Sequence, residues 1–233
     1  MNNQPHDHIV KSYDEEQKRL LDETLRMGEM AATQLEAALD VVRRRDDKAA
    51  ERIIGNDEAI DALEREIDHG VMKLALRGPL ARDLRTILAA LKVAADLERI
   101  GDYAANVAKR SLALNALPPL PLTRGLSSLG TLAVAQMRAV MAAYRDLDAA
   151  AAERVRQSDA ELDAEYTRLF RELLTYMMED ARSITGCTHL LFMAKNIERI
   201  GDHATNIAEN VLFLVTGDDA LPPREKRDAT TPD

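Results

Sequence analysis

The sequence lacks tryptophan and contains few aromatic residues of any kind. Phe, Trp and Tyr together make up 3% of its 233 residues. Alanine, leucine, glutamate and arginine dominate instead, and these residues lose little conformational freedom on entering a helix. A hydrophobic content of 46% is enough to form a substantial core. The composition therefore predicts an all-α globular fold.

Cysteine and long apolar runs are also scarce. The single cysteine, Cys187, has no disulfide partner within the chain, which favours a reducing compartment. The apolar run at 89–95 is interrupted by Lys92 and is too short to cross a bilayer. Residues 1–17 carry no apolar stretch of the kind found in signal peptides. These features predict a cytoplasmic protein that is peripheral to a membrane only through its partners.

Positive charge is in deficit. The 31 Lys and Arg residues against 40 Asp and Glu residues give a formal net charge of −9, and no cluster of Lys and Arg stands out. Nucleic-acid-binding proteins need such a cluster, so no nucleic-acid partner is expected. The same charge opposes spontaneous adsorption to anionic lipid. The sequence also lacks both common glycine-rich phosphate-binding loops, so ATP hydrolysis by this chain is not expected.

Apolar residues recur at helical spacing in six segments, and Gly78-Pro79 and the prolines at 118, 119 and 121 mark two of the boundaries between them. The Pro-rich stretch at 117–122 leaves three segments on either side. Short connections favour antiparallel packing of neighbouring helices. The sequence therefore predicts two tandem, pseudo-symmetric three-helix bundles, at 1–117 and 118–216, and a polar, disordered C-terminal tail at 217–233. The six predicted helices cover residues 10–44, 47–77, 80–114, 123–148, 151–180 and 184–215.

An internal repeat supports the arrangement in two bundles. The stretch ERIGDYAANVA at 98–108 recurs as ERIGDHATNIA at 198–208, an offset of 100 residues. The stretch AAERIIGNDEAID at 49–61 matches AAERVRQSDAELD at 151–163, an offset of 102 residues. Both pairs fall on predicted helices, so each half of the chain carries the same two motifs.

Each ERIGD motif places a glycine in the middle of a helix, where glycine costs about 1 kcal/mol relative to alanine. Gly101 and Gly201 therefore indicate that something approaches the helix backbone closely, either a bound ion or another helix. On the same helix Glu98 and Asp102 are one turn apart, and like charges at this spacing repel each other. A cation would reverse that cost.

The preceding helix of each half carries a second acidic stripe. In the first half Glu64 continues this stripe, whereas Tyr166 takes its place in the second half. If adjacent helices bring their stripes together, the oxygen ligands suit Mg, Ca, Mn or iron, and zinc if a histidine such as His69 or His203 joins. Solvated faces of amphipathic helices would carry the same acids, so both interpretations stay open. The candidate metal ligands are Asp57, Asp61, Glu98 and Asp102 in the first half and Asp159, Asp163, Glu198 and Asp202 in the second.

The doubled ERIGD motif, Met27-Gly28 on the first helix and the opening HIVKSYDEEQKRL resemble the PhoU family over residues 8–215. The resemblance implies two three-helix bundles, a homodimer in the bacterial cytoplasm and no catalytic turnover. It implies a negative regulator of the phosphate-starvation response that acts between the ATP-driven phosphate transporter, an ABC transporter, and a sensor histidine kinase. Some members bind multinuclear iron or zinc clusters through acidic motifs, which implies such clusters at both candidate ligand sets. Because Tyr103 stands opposite His203 in the repeat, the two sites are expected to differ.

Two other functions fit parts of the sequence. Ferritin-like carboxylate-bridged di-iron proteins also carry inward-facing acids, but they need Glu-x-x-His on two helices. That spacing occurs here at Glu66 and His69 alone. A helical scaffold for another transporter would use the acids for solubility, and the sequence does not identify the permease.

Overall fold

The computed structural model describes residues 5–121 and 123–217 of the chain. Within these ranges there are six α-helices and no strand, so the predicted all-α class is confirmed. Apart from Gly217, the predicted C-terminal tail lies outside the described residues. The helices are α1 (Pro5–Arg44), α2 (Asp47–Ala75), α3 (Ala81–Asn115), α4 (Thr123–Asp146), α5 (Ala149–Glu179) and α6 (Ile184–Thr216).

The predicted helix limits lie within two residues of the observed ones, except at the start of α1. That helix begins at Pro5, and proline suits a first helical position because it lacks an N–H that would have no partner there. A short 3₁₀ helix, Ala181–Ser183, precedes α6 and was not predicted. The side chain of Asp180 accepts a hydrogen bond from the N–H of Arg182 and so stabilises this turn.

The two halves turn from their first helix to their second in the same way. Arg45 and Leu147 both adopt left-handed backbone conformations, with φ of 58° and 50°. The next residue is an aspartate in each case, and its side chain accepts a hydrogen bond of 3.0 Å from the N–H three residues later. Asp46 and Asp148 are therefore N-caps, each contributing about 1 kcal/mol to its helix. The internal repeat thus extends to the geometry of the turns.

Helices α3 and α6 form the centre of the fold. Helix α3 packs against α1, α2 and α6, and α6 packs against α3, α4 and α5. The pair runs antiparallel, because Lys92 contacts Phe213 at one end and Arg110 contacts Phe192 at the other. Helix α1 also packs against α4, so the two bundles meet along two pairs of helices. The buried apolar residues of both halves consequently form one connected core.

The contact between α1 and α4 shows the same pseudo-twofold relation. Met141 of α4 lies over Gly28 of α1, and Leu39 of α1 lies over Gly130 of α4. The two glycines correspond to each other at the offset of 102 residues, and so do Leu39 and Met141. The two three-helix units are therefore symmetric in their packing as well as in their motifs. Because the core is continuous between them, the domain limits at 117 and 118 stay a prediction.

The apolar face predicted for the first ERIGD helix belongs to the core. Val93, Leu97, Ile100, Ala104 and Val107 all have 0% exposure. Burying a side chain of this size stabilises the fold by roughly 1.5–3 kcal/mol. The core thus fixes which way the polar residues of the motif can point.

Helix α4 is the one described helix whose length and apolar composition would suit a membrane span. Its mean hydropathy reaches 1.2, but 44% of its most apolar window is buried inside the fold. Leu126, Leu129, Met137 and Val140 are among its core residues. The core therefore accounts for the apolar composition of this helix.

Gly101 and Gly201 lie where the second helix of each bundle touches the third. A Cβ atom on Gly101 would stand 2.9 Å from Cδ1 of Ile60, and one on Gly201 would overlap Cδ2 of Leu162. Ile60 and Leu162 occupy equivalent positions in the repeat. Of the two explanations predicted for the glycines, the structure shows close approach of another helix. Each missing side chain lets α2 or α5 come nearer to the ERIGD helix.

We expect Gly201→Ala to lower the free energy of unfolding by about 1–3 kcal/mol, because the added methyl group would push Leu162 and α5 away from α6. The matched control is Gly55→Ala on α2, where no atom lies within 4 Å of the added methyl group. The control should raise the free energy of unfolding by about 0.5–1 kcal/mol through helix propensity alone. Chemical denaturation followed by circular dichroism measures both changes. Equal stabilisation by the two substitutions would contradict the close approach.

Candidate functional site

The first acidic set, defined as Asp57, Asp61, Glu98 and Asp102, combines one stripe from α2 with one from α3. All four side chains are half-buried. An oxygen of Asp57 lies 3.4 Å from the position that a Cβ on Gly101 would occupy. The glycine thus brings the α2 stripe directly against the ERIGD motif, as the sequence predicted for adjacent helices.

The carboxylates of the first acidic set repel one another. Burial raises the pKa of Asp57 above its ordinary value, a hydrogen bond from Gln34 opposes this, and the Asp102 and Asp61 charges raise it further. Burial also raises the pKa of Glu98, and Asp102 adds to the effect. The folded state therefore holds these protons more tightly than the unfolded chain does. Stability consequently falls as pH rises from the ordinary carboxyl pKa through the raised values.

Glu64 adds a negative charge beside the first acidic set, and Arg99 adds a positive one. Burial raises the pKa of Glu64, and so do the charges of Asp68 and Asp61, which places Glu64 on the same stripe. Arg99 lies 3.6 Å from Glu98 and 3.8 Å from Asp102, and its side chain is 60% exposed. Exposed pairs at such distances contribute little to stability. The repulsion in the first acidic set is therefore only weakly compensated.

Gln34 on α1 was missed by the sequence analysis. Its side-chain amide donates a hydrogen bond of 2.8 Å to Asp57 and one of 3.1 Å to the carbonyl of Gly101. It thereby joins α1 to the contact between α2 and α3 and orients the Asp57 carboxylate. Gln136 of α4 is equivalent, and its side-chain oxygen lies 3.1 Å from a Cβ position on Gly201. Both glutamines share the offset of 102 residues, so the repeat could have revealed them.

The second acidic set, defined as Asp159, Asp163, Glu198 and Asp202, combines stripes from α5 and α6. Asp159 is 2% exposed, and Asp163 and Glu198 are each 4% exposed, whereas Asp202 is half-buried. An ion pair of 2.9 Å joins Glu198 to Lys195 one turn away. Buried carboxylates need partners of this kind to offset their lost hydration. The second acidic set is thus deeper than the first and has a cation of its own.

The difference between the two sets follows from two substitutions in the repeat. Lys195 corresponds to Ala95 in the first half, and Tyr166 corresponds to Glu64. The Lys195 ammonium lies 5.2 Å from the centre of the Tyr166 ring, within range of a cation–π contact. The second half therefore has a lysine where the first half has an alanine, and a tyrosine where the first half has an acid.

Tyr103 and His203 contact each other across the α3–α6 pair, with ring centres 5.7 Å apart. Nδ1 of His203 lies 2.8 Å from a carboxylate oxygen of Asp96 on α3. Arg199 donates a hydrogen bond of 3.2 Å to the Tyr103 hydroxyl. Tyr103 and His203 are equivalent positions of the repeat that carry different residues, and both lie at the contact between the two bundles.

The structure brings the predicted acids of each half onto facing helices, but it does not gather them around a point. Among the described residues, no group of three or more His, Cys, Asp or Glu side chains is arranged to hold a metal ion. An ion would have to draw these side chains together. The oxygen donors and their mutual repulsion nevertheless suit a hard cation.

The Glu66–His69 pair lies away from both acidic sets. It lines a groove between α1 and α2 together with Arg65 and Lys73. None of the eight candidate ligands lines this groove. The single Glu-x-x-His spacing is therefore separate from the candidate metal sites.

Comparison with known proteins places these observations in a family. The family model described as the PhoU domain matches the chain twice, over residues 24–111 and 126–211. A phosphate-specific transport system accessory protein PhoU homolog from Xylella fastidiosa (strain 9a5c) is 67% identical over 99% of this chain and 98% of its own length. The phosphate-specific transport system accessory protein PhoU of Escherichia coli (strain K12) is 35% identical over 91% of this chain and 88% of its own length.

Two solved structures share the fold along most of the chain. The crystal structure of PhoU from Pseudomonas aeruginosa has a TM-score of 0.86 at 35% identity, and the match covers 88% of this chain and 100% of that one. The phosphate transport system regulatory protein PhoU from Streptococcus pneumoniae has a TM-score of 0.83 at 29% identity, over 90% and 100% of the two chains. The two copies of the domain coincide with the two bundles. This chain therefore belongs to the PhoU family.

Proposed function

We propose that this chain is a non-enzymatic negative regulator of the phosphate-starvation response. It works in the cytoplasm, as a homodimer, between an ATP-driven phosphate transporter and a phosphate-sensor histidine kinase, and it controls phosphate uptake. The observation that carries the proposal is the similarity, over nearly the full length, to proteins named as accessory to the phosphate-specific transport system. The repeated acidic motifs supply the features through which such a regulator can be controlled.

Both acidic sets are proposed as metal sites of the regulator. Repulsion within the first acidic set supports this assignment, because a bound cation converts repulsion between carboxylates into attraction. Multinuclear iron or zinc is the expected occupant, and the oxygen donors leave Mg, Mn and Ca open. When bound, the ions would neutralise the acids and tie α2 to α3 and α5 to α6. The proposed ligands are Asp57, Asp61, Glu98, Asp102, Asp159, Asp163, Glu198 and Asp202.

Deletion of the gene should derepress a phosphate-starvation reporter in phosphate-replete cells, and the wild-type gene should restore repression. A variant with Glu98, Asp102, Glu198 and Asp202 all changed to alanine should fail to restore it, because the ERIGD half of each proposed site is removed. The measurement is reporter output, normalised to the amount of folded protein. In cells that also lack the sensor kinase, deletion should have no effect on the reporter.

The matched control for this experiment removes four acids that are exposed on α2 and α5. It changes net charge by the same amount and should restore repression fully. A reporter that stays silent after deletion would contradict the phosphate-signalling role. Full repression by the ERIGD variant would instead contradict a role for the acidic motifs. The control substitutions are Glu51→Ala, Glu58→Ala, Glu161→Ala and Glu179→Ala.

Metal binding should raise the melting temperature of protein first stripped with EDTA. A free metal concentration about 100 times the dissociation constant stabilises the folded state by about 2.7 kcal/mol. For a chain of this length, that corresponds to roughly 5–10 °C. Differential scanning calorimetry with Zn²⁺, Fe²⁺ under anaerobic conditions, Mn²⁺, Mg²⁺ and Ca²⁺ would identify the preferred ion.

Glu98→Gln should act in opposite directions with and without metal. In EDTA it should raise the melting temperature, because one of the repelling charges is removed. With the preferred ion it should reduce the metal-induced increase, because a ligand is lost. The control Glu58→Gln, at an exposed position of α2, should change neither value. An unchanged metal-induced increase in Glu98→Gln would overturn the assignment of Glu98 as a ligand.

A further inference from the structure

On α3 and α6, the exposed charged side chains are all basic. Every described acid on these two helices is buried or half-buried. Every described charged side chain that is exposed on them is a cation. The exposed cations are Lys92, Arg99 and Lys109 on α3 and Arg199 on α6.

Two of these cations, Lys92 and Arg199, contact aromatic rings across the line along which α3 and α6 meet. Lys92, Arg99 and the half-buried Arg110 share one face of α3, since they are spaced by whole numbers of helical turns. Arg199 reaches the same line from α6, where it contacts Tyr103. We call Lys92, Arg99, Arg110 and Arg199 the cationic band. Lys109 is separate, because it lies about 100° round α3 from Arg110 and therefore off the shared face; its charge lowers the pKa of Asp57.

Aromatic rings hold the cationic band in place at both ends. The Lys92 ammonium lies 5.8 Å from the centre of the Phe213 ring, and the Arg110 guanidinium lies 4.1 Å from the centre of the Phe192 ring. Contacts of this type orient a cation while leaving its hydrogen-bond donors available to another molecule. Phe192 is itself 51% exposed, so an apolar surface adjoins Arg110. Arginine and aromatic residues are the types that dominate binding energy at protein interfaces.

In the middle of the cationic band, an aromatic ring also orients a cation. The Arg199 guanidinium lies 5.7 Å from the centre of the Tyr103 ring, and it also donates to the Tyr103 hydroxyl. Arg99 remains 60% exposed, its contacts to Glu98 and Asp102 are long, and its charge also lowers the pKa of Glu64, so it lies at the edge of the band beside the first acidic set. A guanidinium held by an aromatic ring, like that of Arg199, can donate two parallel hydrogen bonds to an incoming carboxylate.

The surroundings of the cationic band are acidic. The exposed acids of the described chain lie on the other helices and their turns, for example Glu29, Glu58 and Glu161. Helix α2 packs beside α3, and α5 packs beside α6. Exposed acids and exposed cations are equal in number on α2 and on α5, but every half-buried charged side chain on these two helices is an acid, so the flanks of the band are acidic on balance. A chain of net charge −9 thus presents a narrow positive strip between negative flanks.

We propose that the cationic band is the docking surface for an acidic segment of a partner protein. The proposal rests on the proposed function, since it gives the chemistry by which the regulator recognises a partner. From Lys92 to Arg110 the band runs about 27 Å along α3. Its width is that of two packed helices, whose axes lie about 10 Å apart. These dimensions suit a single helix or extended segment rich in Asp and Glu.

A flat anionic membrane fits the same strip poorly. A bilayer surface would meet α2 and α5 together with the band, and these helices would add no net attraction, because their exposed acids and cations are equal in number and their half-buried charged side chains are all acids. A narrow segment can contact the cations without approaching those acids. The shape of the charge distribution therefore favours a peptide over a lipid surface.

Fluorescence anisotropy with a short fluorescein-labelled oligo-glutamate peptide tests the proposal at low ionic strength. The variant K92E/R110E, which leaves Arg99 and the adjacent first acidic set unchanged, should weaken binding roughly tenfold, because two attractive charges become repulsive. The matched control K48E/R154E makes the same change in net charge at exposed positions of α2 and α5 and should weaken binding less than about twofold. A circular dichroism spectrum of each variant verifies that the fold is retained.

Two results would overturn the proposal. Equal losses in both variants would mean that the peptide responds to net charge alone. Binding to phosphatidylglycerol vesicles in a sedimentation assay, without binding to the peptide, would identify the band as a lipid-binding surface instead.

The reporter strain separates this proposal from the regulatory function itself. If wild-type protein represses the reporter but the band does not bind the peptide, the docking surface is wrong and the regulatory function stands. If the band binds the peptide but deletion leaves the reporter silent, the docking surface stands and the phosphate function is wrong. With both correct, K92E/R110E should fail to repress, whereas K48E/R154E should repress normally.

Discussion

The close approach of the second and third helices in each bundle is the constraint on which the acidic sites depend. Without a side chain at Gly101, α2 can bring Ile60 and Asp57 against the ERIGD helix. The same arrangement occurs at Gly201 with Leu162. The apolar contact stabilises the packing of the two helices, and the same packing brings their carboxylates close together. The repulsion between acids is therefore tolerated because burial of the neighbouring apolar side chains outweighs it.

The order and extent of the helices could be predicted from the sequence because each depends on local pattern. Apolar spacing, proline and glycine positions and the repeat offsets determine them without knowledge of the packing. The arrangement of α2 on α3 could also be predicted, since Gly101 and the two acidic stripes indicate it. The repeat could single out Gln34, because Gln136 stands at the offset of 102 residues, but no local pattern indicates which carboxylate its side chain will meet. That contact exists only once three helices are packed together.

The depth of the two acidic sets was equally beyond prediction from the motifs. Both halves carry the same acids at the same spacing, yet the second acidic set is nearly inaccessible to solvent. The residues around the motifs differ, with Lys195 and Tyr166 in place of Ala95 and Glu64, and the buried Arg156 in place of Ile54. A lysine that can pair with a buried glutamate offsets the loss of hydration that would otherwise oppose burial. The near-identity of the motifs thus conceals two different electrostatic environments.

The ERIGD motif assigns its consecutive residues to different surfaces of one helix. At about 100° per residue, Glu98 faces α2 and Ile100 points into the core, while Gly101 admits the neighbouring helix. Arg99 lies beside this acidic stripe, 3.6 Å from Glu98, on the face of α3 that also carries Lys92 and Arg110. The motif is repeated on the antiparallel α6, where the corresponding Arg199 contacts Tyr103 of α3. A single five-residue pattern, used twice, thus explains both the acidic sets and much of the cationic band.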